Sequence, residues 1–177
     1  MDKSTNNHRK KSPIKVTISI ITCSSSRYKD KAKGKIIEDP SGDLIEKFLI
    51  NNGHIVFNRS LISDDKLMIK NAIKDAISND KVDSIIITGG TGIAPQDVTI
   101  ESVKDVLDKE IPGFGELFRN ISYEEVGPAA IITRALAGVI QEKPIFCVPG
   151  SPNAVKKAME NLIIPEICHI VKHAKGL

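Results

Sequence analysis

The chain has 177 residues, which suits a single domain with a substantial core, and its three cysteines are scattered without a CxxC pair, as in a cytoplasmic protein with reduced thiols. The formal net charge is +3, and all of it comes from residues 1–13, a polar segment with four basic residues and one acidic residue. The remaining chain is formally neutral and has no apolar run as long as a membrane span, so the composition argues against a nucleic-acid partner and against a membrane protein.

The predicted elements alternate between strand and helix. The opening segment, MDKSTNNHRKKSP, lacks hydrophobic periodicity, so we expect a disordered basic tail at residues 1–13 and one domain at residues 14–177. In chain order, the pattern predicts a strand at 14–22, a helix at 41–53, a strand at 54–62, a helix at 64–78 and a strand at 82–88. It then predicts helices at 98–110 and 113–122, a strand or short hairpin at 129–140, a strand at 143–150, and a helix at 151–174 with a break or kink at Pro165.

This alternation predicts an α/β fold, a sandwich of helices around a mostly parallel sheet. The strand at 82–88 is apolar nearly throughout, as expected of a strand covered on both faces. The helix at 64–78 is predicted to bury one apolar face, formed by Leu67, Met68, Ala72, Ile73, Ala76 and Ile77. In such folds, ligands bind outside the carboxyl ends of the strands.

A glycine loop, TGGTG at residues 88–92, directly follows the buried strand. It matches neither the Walker A spacing nor GxGxxG. Glycines allow a positive φ and let backbone N–H groups approach a ligand, and successive N–H groups bind anions. The alternative is a tight turn without a ligand. Because Thr91 and Gly92 follow the glycine pair and a helix begins soon after, the pattern favours an anion site.

A second corner of similar type lies at VPGSPN, residues 148–153. Here a strand ends at Pro149-Gly150, Ser151 is suited to cap a helix, and Pro152 is suited to its first position. A helix start attracts anions, although a capped helix without a ligand explains this pattern equally well. Two such corners in one sheet predict a ligand that carries phosphate in more than one place.

Two carboxylates adjoin these corners. Asp64 opens the helix after the second strand, and Asp97 opens the helix after the glycine loop. Either residue has a simple structural explanation as an N-cap, a position that Asp favours. The pair would also suffice for Mg²⁺ bound to phosphates, which takes one or two protein carboxylates. His169 and His173 lie one helical turn apart, but the sequence offers no third metal ligand beside them.

The motifs TGGTG…DVT, PGFGE, ITRALAG and VPGSPNA, in this order and spacing, resemble the MoaB/MogA family of molybdenum-cofactor biosynthesis, whose fold recurs in the gephyrin G domain. The resemblance extends from about Lys15 to His173. It implies a three-layer α/β/α sandwich that assembles into trimers or hexamers. It also implies an adenylyltransferase reaction, in which molybdopterin and Mg-ATP give adenylylated molybdopterin and pyrophosphate, and a MoeA-like metal-insertion protein as a partner.

The resemblance assigns roles residue by residue. It implies that Asp64 and Asp97 are the catalytic acidic residues and that they hold Mg²⁺. The nucleotide-phosphate loop corresponds to Thr88, Gly89, Gly90, Thr91 and Gly92. Further pocket positions correspond to Ser41, Gly42, Glu116, Thr133, Gly150, Ser151, Pro152 and Asn153.

This chain departs from the family pattern at two places. Members with transferase activity often have Arg immediately before the loop aspartate, where this chain has Gln96. Many members read Ser-Asp-Arg or Ser-Asn-Arg after the first strand, where this chain has Ser25-Ser26-Arg27. Two alternatives to the transferase therefore stand beside it: a non-catalytic molybdopterin-binding scaffold and, more distantly, a nucleotide-processing enzyme resembling the CinA amino-terminal domain.

Overall fold

The computed structural model describes residues 15–177, and the predicted tail at 1–13 lies outside these residues. The strands are β1 (Thr17–Cys23), β2 (Ile55–Ile62), β3 (Ser84–Thr88), β4 (Lys109–Glu110), β5 (Leu136–Ile140) and β6 (Lys143–Val148). The helices are α1 (Ser25–Ala32), α2 (Pro40–Asn51), α3 (Lys66–Ile77), α4 (Thr99–Lys104), α5 (Pro112–Val126), a 3₁₀ helix (Gly127–Ile132), α6 (Pro152–Ala158), a π-helical segment (Met159–Ile163) and α7 (Ile164–Ala174).

The strands form one sheet with the order β2-β1-β3-β6-β5-β4. β2, β1, β3 and β6 are parallel, and only the pairings of β5 with β6 and of β4 with β5 are antiparallel. The predicted mostly parallel α/β sheet is therefore confirmed. The connection after β1 leads to β2 at one edge, and the connection after β3 leads to β4 at the other edge, so the direction of winding reverses between β1 and β3. The carboxyl ends of the four parallel strands meet at this switch point, where open α/β sheets bind ligands.

Both faces of the sheet are covered, which makes the domain a three-layer sandwich. Side chains alternate along a strand, so Ile18 and Ile20 of β1 face one core and Ile21 faces the other. The first core packs the sheet against α2, α5, α6 and α7. The second packs it against α3 and α4. β3 contributes to both cores, and all five of its residues are buried, as its apolar sequence predicts.

The buried face of α3 differs from the predicted one. Ile73 and Ala76 are buried as expected, but Ile69 is also fully buried and Leu67 is 67% exposed. Asp65 caps this helix. Leu67 and Ile69 are two residues apart, so they lie about 200° apart around the helix axis. The two residues therefore cannot face the same core.

The segment between α4 and β6 is less helical than predicted. The helix predicted at 98–110 ends at Lys104, because the chain then turns to form β4 beside β5. The segment 129–140 combines the end of the 3₁₀ helix with β5. The hairpin joins β5 to β6 through Gln141 and Glu142, which have φ values of 46° and 65°.

Two further differences concern helices. The helix α1 has no buried residue, and its sequence gave no periodic signal. The helical structure is not broken at Pro165, because α6, the π-helical segment Met159–Ile163 and α7 follow one another without a gap. None of the helices within residues 15–177 combines the length and the apolar character that a membrane span requires.

Candidate active site

A cleft of about 680 Å³ opens at the carboxyl ends of β1, β2, β3 and β6. The segments that follow these strands form its walls, together with the residues just before β5. The structure brings several of the predicted site residues together here: Asp64, Gly89, Gly90, Thr91, Gly92, Asp97, Thr133 and Gly150. The glycine loop and both carboxylates therefore share one cavity.

Glycine is required in the loop by both conformation and space. Gly89 and Gly90 have φ values of +95° and +61°, which other residues rarely adopt. A Cβ at Gly90 would lie 2.5 Å from Oδ1 of Asp64, and a Cβ at Gly92 would lie 2.5 Å from Oδ2 of Asp97. Side chains at these positions would push the loop away from both carboxylates.

In the glycine loop, a side chain binds backbone carbonyl groups, and several N–H groups have no acceptor among the described residues. The carbonyl oxygens of Thr91 and Gly92 accept hydrogen bonds from the Arg134 side chain, at 2.8 and 2.6 Å. By contrast, none of the hydrogen bonds formed within residues 15–177 uses the backbone N–H groups of Gly90, Thr91, Gly92 or Ile93. A run of N–H groups without acceptors is suited to bind an anion.

Arg134 was not among the predicted site residues. Its Nη1 also donates to Oε1 of Glu101 at 2.5 Å, so the guanidinium joins the loop to α4. These hydrogen bonds lower the pKa of the Glu101 carboxyl. The sequence signal was a single arginine in the otherwise apolar segment 129–140, a position that is unusual unless its charge has partners.

Asp64 is not the N-cap of α3, so the explanation of this residue as a helix cap is wrong. Asp65 caps the helix, and its side chain accepts from the N–H of Met68 at 2.9 Å. Asp64 instead faces the start of α1, where its Oδ2 accepts from the backbone N and from Oγ of Ser25, at 2.7 and 2.8 Å. Ser25 thereby fixes the orientation of the carboxylate, a role that the sequence alone did not reveal.

Asp97 does not cap α4 either. The residue before this helix is Val98, which has no capping side chain. Oδ2 of Asp97 accepts from the N–H of Ala94 at 3.0 Å, and its own N–H donates to the carbonyl of Ala94 at 2.9 Å. These two bonds close a tight turn that holds the carboxylate against Gly92.

The second corner is linked to the first through the backbone. Thr88 is fully buried, and its hydroxyl donates to the carbonyl of Pro149 at 3.1 Å. Ser41, also buried, donates to the carbonyl of Gly150 at 2.8 Å. Ser151 caps α6 as predicted and accepts from the N–H of Ala154 at 3.2 Å. The hydroxyl of Ser151 is therefore engaged within its own helix.

The remaining predicted residues lie outside the lining of this cleft. Gly42 is buried at the start of α2, where its N–H donates to Asp39. Pro152 is exposed, and Asn153 donates to Glu125 of α5 at 3.0 Å. Glu116 lies on α5 beside a neighbouring depression. Their assignments to the ligand pocket stay predictions.

Cys23 lies at the floor of the cleft without chemical activation. Burial raises the pKa of its thiol to about 12, so the group is neutral at physiological pH and is not a nucleophile. The buried hydroxyl of Thr99 lies beside it and has no hydrogen-bond partner within residues 15–177. A Cβ at Gly90 would lie 2.5 Å from this hydroxyl, so the glycine loop passes directly over it.

The histidine pair of α7 is remote from the cleft. The Nε2 atoms of His169 and His173 lie 2.8 Å apart, and Nδ1 of His169 lies 3.1 Å from Glu166. Within residues 15–177, no group of three or more His, Cys, Asp or Glu side chains is arranged to hold a metal ion. The pair therefore adds nothing to the site at the glycine loop.

Comparison with known proteins identifies the family. Residues 19–169 match a family model described as "Probable molybdopterin binding domain". The chain is 45% identical over 166 residues to the "Molybdenum cofactor biosynthesis protein B" of Halalkalibacterium halodurans, covering 93% of this chain and 94% of the relative. This chain belongs to the MoaB/MogA family.

Two further relatives indicate the range of named activities in the MoaB/MogA family. The "Probable molybdopterin adenylyltransferase" of Methanocaldococcus jannaschii is 41% identical, with 90% of this chain and 94% of the relative covered. The crystal structure of the tungsten cofactor synthesizing protein MoaB from Pyrococcus furiosus superposes with a TM-score of 0.81 at 43% identity, covering 93% of this chain and 99% of that one. The chain thus spans nearly the full length of these relatives.

The residues of the cleft fit the Mg²⁺ ion that the MoaB/MogA resemblance implies. Oδ2 of Asp64 and Oδ2 of Asp97 accept hydrogen bonds, whereas neither Oδ1 atom does so from any residue between 15 and 177. Each carboxylate therefore keeps one oxygen available beside the glycine loop. Two carboxylates with phosphate and water suit Mg²⁺, a hard cation that prefers oxygen ligands.

Proposed function

We propose that this protein adenylylates molybdopterin with Mg-ATP in the biosynthesis of the molybdenum or tungsten cofactor. The terminal phosphate of molybdopterin attacks the α-phosphate of ATP, so a new phosphorus–oxygen bond forms. The bond between the α-phosphorus and its bridging oxygen breaks, and pyrophosphate leaves with the bonding electrons. Family membership and the names of the relatives from H. halodurans and M. jannaschii support this reaction.

One observation carries the proposal: Asp64 and Asp97 flank a glycine loop in which the N–H groups of Gly90, Thr91 and Gly92 have no acceptor among the described residues. Neither carboxylate serves as a helix cap, so the simplest structural explanation for each is removed. Their hydrogen bonds orient them toward the loop instead of neutralising both oxygens. This is the arrangement that binding of a metal–nucleotide complex requires.

The absence of an obvious general base is consistent with this chemistry. A phosphate monoester has a second pKa near 6, so the nucleophile is mostly a dianion at pH 7. Its main obstacle is repulsion from the polyphosphate that it approaches. The loop N–H groups offset this negative charge, and positioning with electrostatic stabilisation supplies most of the catalysis in phosphoryl transfer.

Asp64 and Asp97 would hold Mg²⁺ through their Oδ1 atoms. When bound, the ion neutralises charge on the phosphates and favours departure of pyrophosphate. Ser25 keeps Asp64 in place by two hydrogen bonds, and the turn at Ala94 does the same for Asp97. The cleft thus presents both carboxylates in fixed orientations before substrates arrive.

The decisive experiment measures pyrophosphate release from Mg-ATP with and without molybdopterin. We expect release only when both substrates are present, in an amount equal to the adenylylated molybdopterin formed in a single turnover. Binding of molybdopterin without any pyrophosphate would contradict the transferase and support a scaffold protein.

The scaffold is the second candidate because of Gln96, which lines the cleft where transferase members often have Arg. A missing positive charge at this position would weaken stabilisation of the polyphosphate. Asp64 and Asp97 are both present, which favours the enzyme. Replacing Gln96 with Arg separates the two: a large gain in transfer would show that the native chain lacks part of the catalytic charge.

We also propose that the protein forms a trimer or a hexamer, as its family resemblance implies. An exposed apolar surface on α5 and the 3₁₀ helix supports assembly. Ile131 is 84% exposed and Ile132 is 57% exposed, and Leu117, Tyr123 and Val126 extend the same region. Exposed apolar patches of this kind mark interaction surfaces.

Light scattering at micromolar concentration tests the assembly. We expect a mass of three or six chains, and replacement of Ile131 with Asp should produce monomers. A wild-type protein that is only monomeric would contradict the proposal. Transfer of the product to a MoeA-like metal-insertion protein and a cytoplasmic location stay predictions.

A further inference from the structure

Arg134 makes three short contacts that no helix or strand requires. Its Nε donates to the carbonyl of Thr91 at 2.8 Å, and its Nη2 donates to the carbonyl of Gly92 at 2.6 Å. Its Nη1 donates to Glu101 at 2.5 Å. One guanidinium therefore holds two consecutive loop peptides and anchors them to α4.

These contacts determine the direction of the loop N–H groups. In a planar trans peptide, the C=O and N–H bonds point in opposite directions. Because Arg134 binds the carbonyls of Thr91 and Gly92, the N–H groups of Gly92 and Ile93 point away from it. Those two N–H groups form no hydrogen bond within residues 15–177.

The other hydrogen bonds of the loop do not reach these two peptides, because they join Gly90 to Thr99 and Ala94 to Asp97. Ile93 is 68% exposed, and Pro95 and Gln96 are also exposed, so apolar burial does not anchor the segment. Glycine lowers the barrier to peptide reorientation because it populates both signs of φ. A loop of this composition needs a polar tether to keep one peptide orientation.

We propose that Arg134 is a positioning residue which, with Glu101, orients the glycine loop so that the N–H groups of Gly92 and Ile93 receive a phosphate of the nucleotide. This inference rests on the proposed function for the identity of the nucleotide. Arg134 acts on the ligand through the loop, and its own donors are occupied by Thr91, Gly92 and Glu101.

The geometry requires arginine rather than a positive charge alone. A guanidinium presents donors in a rigid planar fork that can bind two carbonyls and a carboxylate at once. The ammonium of lysine is a compact charge on a flexible stem and cannot match all three positions. The ion pair with Glu101 holds the guanidinium beside the loop, and its effect on the acid is the lowered pKa of Glu101.

The test compares Arg134→Lys, Glu101→Gln and the control Lys70→Gln. Lys70 forms an exposed ion pair with Asp105 at the end of α4, at 2.8 Å, so its loss removes a comparable surface contact without touching the loop. Binding of tripolyphosphate and of Mg-ATP is measured by calorimetry without molybdopterin. The KM values for ATP and molybdopterin are then measured separately, and thermal unfolding is recorded for each variant.

We expect Arg134→Lys to lower the affinity for tripolyphosphate and for Mg-ATP by about tenfold or more, as for the loss of charge-assisted hydrogen bonds. Glu101→Gln should have a smaller effect, and Lys70→Gln none. The KM for ATP should rise while the KM for molybdopterin stays unchanged, a split that general destabilisation would not produce.

The outcomes separate this inference from the proposed function. Tripolyphosphate binding that depends on Arg134, in a wild-type protein without pyrophosphate release, would overturn the transferase and support the positioning role. Equal polyphosphate affinity in wild type and Arg134→Lys would overturn the positioning role, whatever the transfer activity. A wild-type protein that binds neither polyphosphate would overturn both.

Discussion

The two glycine corners of this sheet have similar sequences but different structures. At the end of β3, Gly89 and Gly90 adopt positive φ, and the following N–H groups have no acceptor among the described residues. At the end of β6, Gly150 has an ordinary φ, its carbonyl accepts from Ser41, and Ser151 caps α6. The N–H groups of Gly150 and Ser151 also lack an acceptor among the described residues. The two corners therefore differ in their carbonyl and side-chain contacts: the first lies against two carboxylates, and the second is tied to α2 and α6.

The difference shows that a glycine turn before a helix does not by itself create an anion site. At the first corner, Arg134 binds the carbonyls from behind, and two carboxylates lie in front. At the second corner, the serine hydroxyl takes the role that a phosphate oxygen would have. Side chains from distant segments therefore give the two corners different surroundings.

The largest predicted effect comes from placing a side chain in the first corner. Gly90→Ala introduces a Cβ 2.5 Å from Oδ1 of Asp64 and from the Thr99 hydroxyl, at a residue with φ of +61°. We expect transfer to fall by about a thousandfold or more, because the loop and the carboxylate of Asp64, a proposed metal ligand, are displaced together. Single-turnover formation of adenylylated molybdopterin measures the loss.

Two alanine variants serve as controls for this change. Gly53→Ala has a similar φ of +79° but open space around the new Cβ, so it should cost only the strain of about 1–2 kcal/mol. Gly150→Ala would place its Cβ 3.0 Å from Gly89, a contact that a small shift can relieve. Equal losses of transfer at Gly90 and Gly150 would show that the two corners are functionally equivalent.

The next effect concerns the carboxylates that distinguish the first corner. Asp97→Asn should lower transfer by about a hundredfold, the scale of one electrostatic contact in the transition state, while molybdopterin binding survives. Asp64→Asn should behave similarly. The double variant should cost less than the sum of the two if both residues hold one ion.

Asp65→Asn is the matched control, since Asp65 is the neighbour of Asp64 and the actual cap of α3. Asn caps helices about as well as Asp, so this variant should keep both stability and transfer. If Asp97→Asn transfers at the wild-type rate and is as stable as wild type, Asp97 only closes the turn and takes no part in the reaction. The scaffold would then be the better account of the protein.

Local sequence signals predicted the parts of the fold that depend on neighbouring residues. The buried strand β3, the glycine loop and the Ser151 cap follow from apolar runs and turn residues read within a few positions. The helix α1 escaped prediction because it buries no side chain, so it has no apolar period to detect. The exposure of Leu67 was missed because the predicted face grouped it with Ile73 and Ala76, which lie about 240° and about 180° from it around the helix axis.

The candidate site was predicted less completely, because its details depend on contacts between distant segments. Asp64 and Asp65 are adjacent in sequence, and only the hydrogen bonds from Ser25 show which one faces the cleft. Arg134 lies 42 residues beyond Gly92, and no local pattern links them. Glu116 was assigned by resemblance, but it lies on α5 outside the lining of the cleft.

A smaller effect is expected at the second corner. Ser151→Ala removes the hydroxyl that accepts from the N–H of Ala154, so stability should fall by about 1 kcal/mol. Transfer should stay at the wild-type level, because this hydroxyl is already used within α6. Urea unfolding and single-turnover transfer measure the two quantities, and a loss of transfer larger than the loss of stability would show that Ser151 contacts a substrate.

The smallest effect is the pH dependence of the tether behind the first corner. Hydrogen bonds from Arg134 lower the pKa of Glu101 below its ordinary value of 4.5. A lowered pKa in the folded state means that the ionised carboxylate stabilises the fold. This contribution is fully present above about pH 5 and is lost as the pH falls through the lowered value. The contribution is modest because the Glu101 side chain is 44% exposed.

Urea unfolding of wild type and Glu101→Gln between pH 7 and pH 3 isolates the contribution of the Glu101 carboxylate, since the other carboxylates titrate in both proteins. We expect a constant difference in unfolding free energy above pH 5 that shrinks below pH 4, whereas the difference caused by Ser151→Ala should not change with pH. A Glu101 difference that persists unchanged at pH 3 would show that the ion pair with Arg134 does not stabilise the loop.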